Sequence, residues 1–130
     1  MAINKNFNRQ ELLAAHVDIK LADLVSGTTI AALDLPPNAV ITGGDVVVEE
    51  AFNSDMSDVL DVGDSGSANR YLNDGGIHAA GRIALTPTGF VSGGSPLTVT
   101  WTSGGGSPTA GKLRLSMQYY ILGRATSTLG

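Results

Sequence analysis

Hydrophobic and polar residues alternate along much of this chain. Val17, Ile19 and Leu21 are separated by Asp18, Lys20 and Ala22. A period of two places the two sets on opposite sides of an extended strand. Leu97, Val99 and Trp101 alternate with Thr98, Thr100 and Thr102 in the cleanest example. Leu113, Leu115, Met117, Tyr119 and Ile121 alternate with Arg114, Ser116, Gln118, Tyr120 and Leu122 over a strand predicted at 112–122. Further strands are predicted at 29–35, 39–52, 59–62 and 77–85, with a short edge segment at 70–72. Val46 and Val48 share one face of the long 39–52 strand, and Val47 and Glu49 the other. Gly43-Gly44 inside that strand predicts a bulge or bend. Residues 9–15 fit either one helical turn or extended chain.

Turn residues punctuate the strands. Ser26-Gly27, Pro36-Pro37-Asn38, Asn53-Ser54-Asp55, residues 63–68, Asn73-Asp74-Gly75-Gly76 and the Pro87/Gly89 segment all read as turns. About eight strands separated by such signals, with no long helix, predict an all-β fold, a sandwich or a barrel. Residues 1–14 read as a polar N-terminal arm, 15–125 as a single β-sandwich domain and 126–130 as a polar C-terminal tail.

Composition agrees with that class. A chain of 130 residues suggests one domain, and 17 glycines with only 15% charged residues suit strands joined by many turns. The apolar share of 42% is too high for a disordered chain. There is no cysteine, which excludes a disulfide framework and any thiolate metal site. The first sixteen residues hold no apolar run of signal-peptide length, and no segment approaches a membrane span.

The net charge of −4 is unevenly distributed. Residues 28–80 carry nine acids and one base, Arg70, whereas residues 81–130 carry four bases (Arg82, Lys112, Arg114, Arg124) and no acid. Either a sandwich interleaves these segments so that they neutralise one another within the molecule, or copies of the chain pair head to tail. Four dispersed bases make no nucleic-acid footprint.

Candidate chemistry is sparse. Gly106, Gly111 and Lys112 have P-loop spacing, but Leu113 stands where a magnesium-binding hydroxyl belongs, and a strand follows where a helix is needed. Asp58, Asp61 and Asp64 could offer oxygens to calcium, yet they lack EF-hand spacing and read as turn residues bonding local amides. His16 and His78 have no partner at zinc-ligand spacing. Glu49 and Glu50, adjacent on a strand, are expected on opposite sides and unable to act as an acid–base pair. Trp101 and Tyr119 are in phase with apolar faces and expected in the core; Tyr120 and Tyr71 are the candidate surface aromatics. No catalytic residue, metal site or cofactor site is expected, and the chain does not read as an enzyme.

The runs ALDLPPNAVITGGDVVVEEAFNS, DVLDVGD, NRYL, AGRIALTPTGF and PLTVTWTSGGGSPTAGKLRLSMQYYILGRA resemble small virion proteins of tailed bacteriophages, the capsid decoration or cement proteins. The likeness spans residues 31–125. It implies a jelly-roll-like antiparallel β-sandwich that self-associates, often as a homotrimer, in the virion, assembled in the cytoplasm of a bacterial host. It also implies binding to the outside of the capsid, where the protein clamps neighbouring major capsid protein subunits. A head-fibre base or tail component is the alternative within the virion. A carbohydrate-binding jelly-roll lectin is the alternative outside it, and that reading needs Tyr120 or Tyr71 exposed over a polar groove. Capsid contacts are expected at residues 2–14 and in the exposed loops 53–55, 63–69 and 104–107.

Overall fold

The structure, a computed structural model, describes residues 9–54 and 57–124. Among them are eight strands: β1 (Leu13–Lys20), β2 (Thr29–Leu33), β3 (Ala39–Glu50), β4 (Val59–Gly63), β5 (Leu72–Gly76), β6 (Gly81–Ala84), β7 (Leu97–Thr102) and β8 (Lys112–Ile121). The one helical element among the described residues is a three-residue 3₁₀ turn, Leu21–Asp23. No helix of the described residues is long and apolar enough to cross a membrane.

The strands form two four-stranded sheets, ordered β1-β8-β3-β6 and β2-β7-β4-β5. The pairs β1·β8, β2·β7, β3·β6 and β4·β5 are all antiparallel. The chain is therefore one long hairpin, folded over so that its successive rungs fall alternately in two layers. Pairing of β3 with β8 and of β4 with β7 closes each sheet. This is the jelly-roll order, two Greek keys back to back.

The alternating pattern explains the packing. Leu113, Leu115 and Met117 of β8 meet Val46 and Val48 of β3 on the inner side of the first sheet, all at 0–2% exposure. Leu60, Val62, Leu97, Val99 and Trp101 fill the second sheet's inner side. Tyr119 packs half-buried against this core. The bulge expected at Gly43-Gly44 is present: register shifts between Ile41 and Gly43 as β3 runs along β8. Gly44 sits at φ +148°, and a Cβ there would collide with the Ser116 carbonyl.

Three expectations change. Strand β1 starts at Leu13 rather than 17, because Leu13 and Ala15 extend the inward-facing series of Val17 and Ile19 along β8. Residues 13–15 are thus extended, not helical. Asn73-Asp74-Gly75-Gly76 is not a turn but most of β5. An edge strand is paired on one side only, so it tolerates turn residues: Asp74 takes φ 54° while its N–H donates to the Asp61 carboxylate at 2.7 Å. Strand β6 is shorter than expected because Ile77 is buried in a crossing, where its N–H reaches the Asp58 carbonyl and its carbonyl accepts from Phe52.

Candidate functional site

The antiparallel registers sort every connection to one of two ends. At the termini end lie residues 9–12, 34–38, 64–71, 85–96 and 122–124. At the other, the Asp58 end, lie residues 21–28, 51–54, 57–58, 77–80 and 103–111. The ten residues of β8 separate them by about 30 Å. Loop 63–69 therefore belongs to the first end, and loops 53–54 and 104–107 to the second. The expected contact loops do not form one surface. Asp55, residues 1–8 of the expected arm and the tail at 126–130 lie outside the described residues.

The Asp58 end is a polar lock. Asp58 is 0% exposed. Its carboxylate accepts from the Ser54 amide at 3.0 Å, the Gly104 amide at 2.7 Å and the Ser54 hydroxyl. Asn53 Oδ1 accepts from the Thr109 and Ala110 amides at 2.8 and 3.2 Å, and its Nδ2 donates to Thr109 Oγ1. The glycine loop with P-loop spacing is thus a connection tied to its neighbour. It leads into a strand, and Lys112 Nζ lies 3.6 Å from Glu49 rather than over a phosphate cradle.

The termini end is built differently. Asp64 accepts from the Gly66 and Ser67 amides, both at 3.0 Å, and pairs with Arg70 Nε at 2.6 Å. Burial pushes the Asp64 carboxyl up, but the Arg70 guanidinium and the two amides outweigh it and hold the group below the usual carboxylate range. The Arg70 guanidinium carbon lies 3.5 Å from the centroid of the Phe90 ring, which joins the 64–71 loop to the 85–96 loop. Of the five exposed large apolar side chains among the described residues, Leu12, Phe90, Val91 and Leu122 lie at this end, and Val25 lies at the other. An open groove, lined by Leu12, Tyr120, Leu122, Arg9 and Arg124, runs beside the end of β8.

The remaining candidates do not converge. Asp58 and Asp64 sit at opposite ends, with Asp61 between them on the outer face of the second sheet. No group of three or more possible metal ligands occurs among the described residues. His16 and His78 are both exposed and on different elements. Glu49 and Glu50 were expected on opposite faces, but a register shift between Val48 and Glu50 leaves both in solvent. Tyr71 is not a surface aromatic: it is 1% exposed, and burial pushes its hydroxyl pKa up. Half of the lectin reading rested on it. Tyr120 is half-buried in the groove wall.

Three of the four bases in 81–130 are used within the molecule. Strand β3 lies between β8 and β6, so Asp45 and Glu49 meet bases on those strands. Asp45 pairs with Arg82 at 2.7 Å, and Glu49 lies 3.6 Å from Lys112 and 3.9 Å from Arg114. The Ser116 hydroxyl and Arg82 hold the Asp45 carboxyl below its ordinary pKa. Of the four bases in 81–130, only Arg124 lacks an ion pair among the described residues.

No protein-family model matches this chain, and no curated protein does either. Solved structures do share the fold. A chain of the cyanophage Pam1 capsid asymmetric unit superposes with TM-score 0.69 at 18% identity, over 93% of this chain and 91% of that one. A chain in the capsid of Ralstonia phage GP4 gives 0.65 at 21% identity, over 96% and 92%. A chain in the acidic stable capsid structure of Helicobacter pylori bacteriophage KHP30 gives 0.65 at 12% identity, over 86% and 89%.

Proposed function

We propose that this protein is a structural component of a phage virion that binds the outside of the capsid and stabilises the mature shell by bridging major capsid protein subunits. The observation that carries this reading is the fold match. The eight-stranded jelly roll is shared with chains of three phage capsid structures, over roughly nine-tenths of both chains in each case. The two ends are consistent with it. A bridging protein needs a stiff body and an adhesive surface, and apolar side chains exposed together mark such surfaces. The role is non-catalytic.

Binding to the mature lattice alone stabilises that lattice by mass action. Many copies, each touching several subunits, add avidity without one very tight site. Self-association, as a trimer, fits the same role. The sandwich leaves β1, β2, β5 and β6 as sheet edges, and unpaired edges are covered in stable assemblies.

The test is to add purified protein to capsids that lack it and to image them by electron microscopy. The expected result is density on the outer shell between shell subunits, with a higher temperature of capsid disruption. Density confined to the tail would select the tail-component reading instead. Light scattering after size-exclusion chromatography checks the trimer, and a persistent monomer at high concentration would remove it.

A further inference from the structure

We infer that the free edge of β1 pairs antiparallel with β1 of a second copy, about a two-fold axis at Val17, and so joins the first sheets of two molecules into one. This contact forms in the free protein and is independent of the capsid-binding reading above.

First, β1 differs from the other three sheet edges. β2 loses register between Ala31 and Leu33 and is followed by Pro36-Pro37. β5 breaks register with β4 between Leu60 and Val62 and holds Asp74 at φ 54°. β6 has only four residues. Irregularity, proline and short length are how sheets keep their edges from pairing. β1 has none of these. It runs eight residues along β8 without a shift and contains no proline or glycine. Its main-chain groups alternate in direction. The Leu21 N–H donates to the Gly111 carbonyl beside β8, whereas the Lys20 N–H donates to the Asp23 carboxylate instead. The same alternation points the N–H and C=O groups of Ala14, His16 and Asp18 away from β8. Among the described residues these groups have no partner.

Second, the inner face is open along this edge. Leu113, Leu115 and Met117 of β8 are fully buried, but Leu13, Ala15 and Val17 on the same face of β1 are only half-buried. A slot of about 140 Å³ opens between β1 and β2, lined by Val17, Ile19, Leu24 and Ile30. A strand added beside β1 would set its own inward side chains over that slot.

Third, the order of its side chains makes β1 complementary to itself. Opposed residues of an antiparallel pair share a face, so inward side chains must oppose inward ones. With the two-fold at Val17, Ala15 opposes the partner's Ile19, and His16 opposes the partner's Asp18. Symmetry repeats each pair, so imidazole N–H and carboxylate meet twice. The main-chain groups of the same residues exchange hydrogen bonds, because both point outward. Neighbouring registers are worse. A two-fold at His16 sets imidazole against imidazole, and one at Asp18 sets carboxylate against carboxylate and His16 against Lys20. Charge complementarity with apolar continuity thus favours one register and one occupant, another copy of this chain. A two-fold contact at β1 leaves other surfaces to the trimer proposed above and would link one trimer to the next.

The test uses the full chain, which has no cysteine, so one introduced thiol reports the register. Opposed Cα atoms at the two-fold would lie about 4.5 Å apart, within disulfide reach. Under mild oxidation Val17→Cys should give a disulfide-linked dimer, and His16→Cys and Asp18→Cys should give little. Sedimentation of the concentrated protein gives its mass. His16→Asp sets like charges in opposition, and it should lower that mass about twofold or more and weaken association about tenfold or more. The exchanged double variant, His16→Asp with Asp18→His, should restore both. Each variant is first shown to melt like the wild type. A wild type no heavier than His16→Asp overturns the inference. So does a double variant that stays apart, or cross-linking that favours position 16 or 18. Hydrogen exchange covers the other occupants. The Ala14, His16 and Asp18 amides should be protected at high concentration and exposed on dilution. Protection that persists in the dissociated protein would assign the edge to the chain's own N-terminal segment. Protection gained only on adding capsids would assign it to the shell. Either result overturns the inference.

Discussion

The two ends of the sandwich hang from the same strands yet solve opposite problems. At the Asp58 end, one fully buried carboxylate and one asparagine collect the orphan amides of two loops, and the surface is polar. At the termini end, a carboxylate–arginine pair anchors the loops from beneath, while Leu12, Phe90, Val91 and Leu122 are left facing outward. Buried polar groups cost stability unless they are bonded, so each end needs its anchor. Four of the five exposed large apolar side chains among the described residues then lie at the termini end, and one, Val25, at the other. A lock needs no partner; exposed leucines and a phenylalanine near arginines are the kind of surface that interaction sites use.

The largest expected effect separates the anchors. Asp58→Ala strips the acceptor from the half-buried Ser54 and Gly104 amides and should cost about 2–3 kcal/mol in denaturant unfolding. Under the proposed function, capsid affinity should change little while the protein remains folded. A loss under 1 kcal/mol would mean that these loops do not depend on the carboxylate.

Asp64→Ala should fall at the lower end of that range, about 2 kcal/mol, because Arg70 keeps some solvent contact and the Phe90 ring. Its signature is spatial. Amide hydrogen exchange should rise in residues 64–71 and 85–96 and stay unchanged at 103–111. Acceleration at both ends would show that the two are coupled and would remove the distinction drawn above.

Acid should weaken the termini end through Asp64 and the first sheet through Asp45. The folded-state pKa values of Asp64 and Asp45 lie below their unfolded values. Their contribution is therefore complete above the ordinary carboxylate range and is lost as pH falls through the folded values. Stability should decline below about pH 4. Asp64→Asn should start lower and decline less steeply over that window. An unchanged slope would mean that other carboxyls govern acid unfolding.

The smallest effects concern exposed side chains. Phe90→Leu removes the ring under Arg70 and should cost about 0.5–1 kcal/mol. Val25→Ser, at the polar end, should stay within about 0.5 kcal/mol of wild type. Loss of capsid binding in Val25→Ser would move the proposed contact surface to the Asp58 end.

Much of the fold was legible because alternation is a direct imprint of two-faced strands. β7 and β8 are visible in Leu97–Trp101 and Leu113–Ile121, and two adjacent glycines marked the bulge in β3. The errors fell where an edge overrode local preference. Asn73-Asp74-Gly75-Gly76 has turn composition, but one-sided pairing to β4 and the Asp61 carboxylate hold it extended. Tyr71 follows an arginine and looks like surface, yet the loop that Asp64 closes turns it inward. The groove was hidden because its walls come from residues more than a hundred positions apart, with Gln10 bound to Ile121 and Arg124. Exposed leucines read as core or tail when only their neighbours in sequence are known.

By itself, the sequence determined which residues face inward along each strand, where the chain can turn, and that thiol chemistry is excluded. Those properties depend on side-chain type and a period of two, which are local. Only the tertiary structure decided that β3 would lie between β8 and β6 and so pair Asp45 and Glu49 with bases from the later half of the chain, that the three aspartates would part to different places, and that most of the exposed large apolar side chains would gather at one end. Those outcomes depend on which distant segments pair, and pairing is set by the closing of two sheets over a shared core rather than by any short stretch of chain.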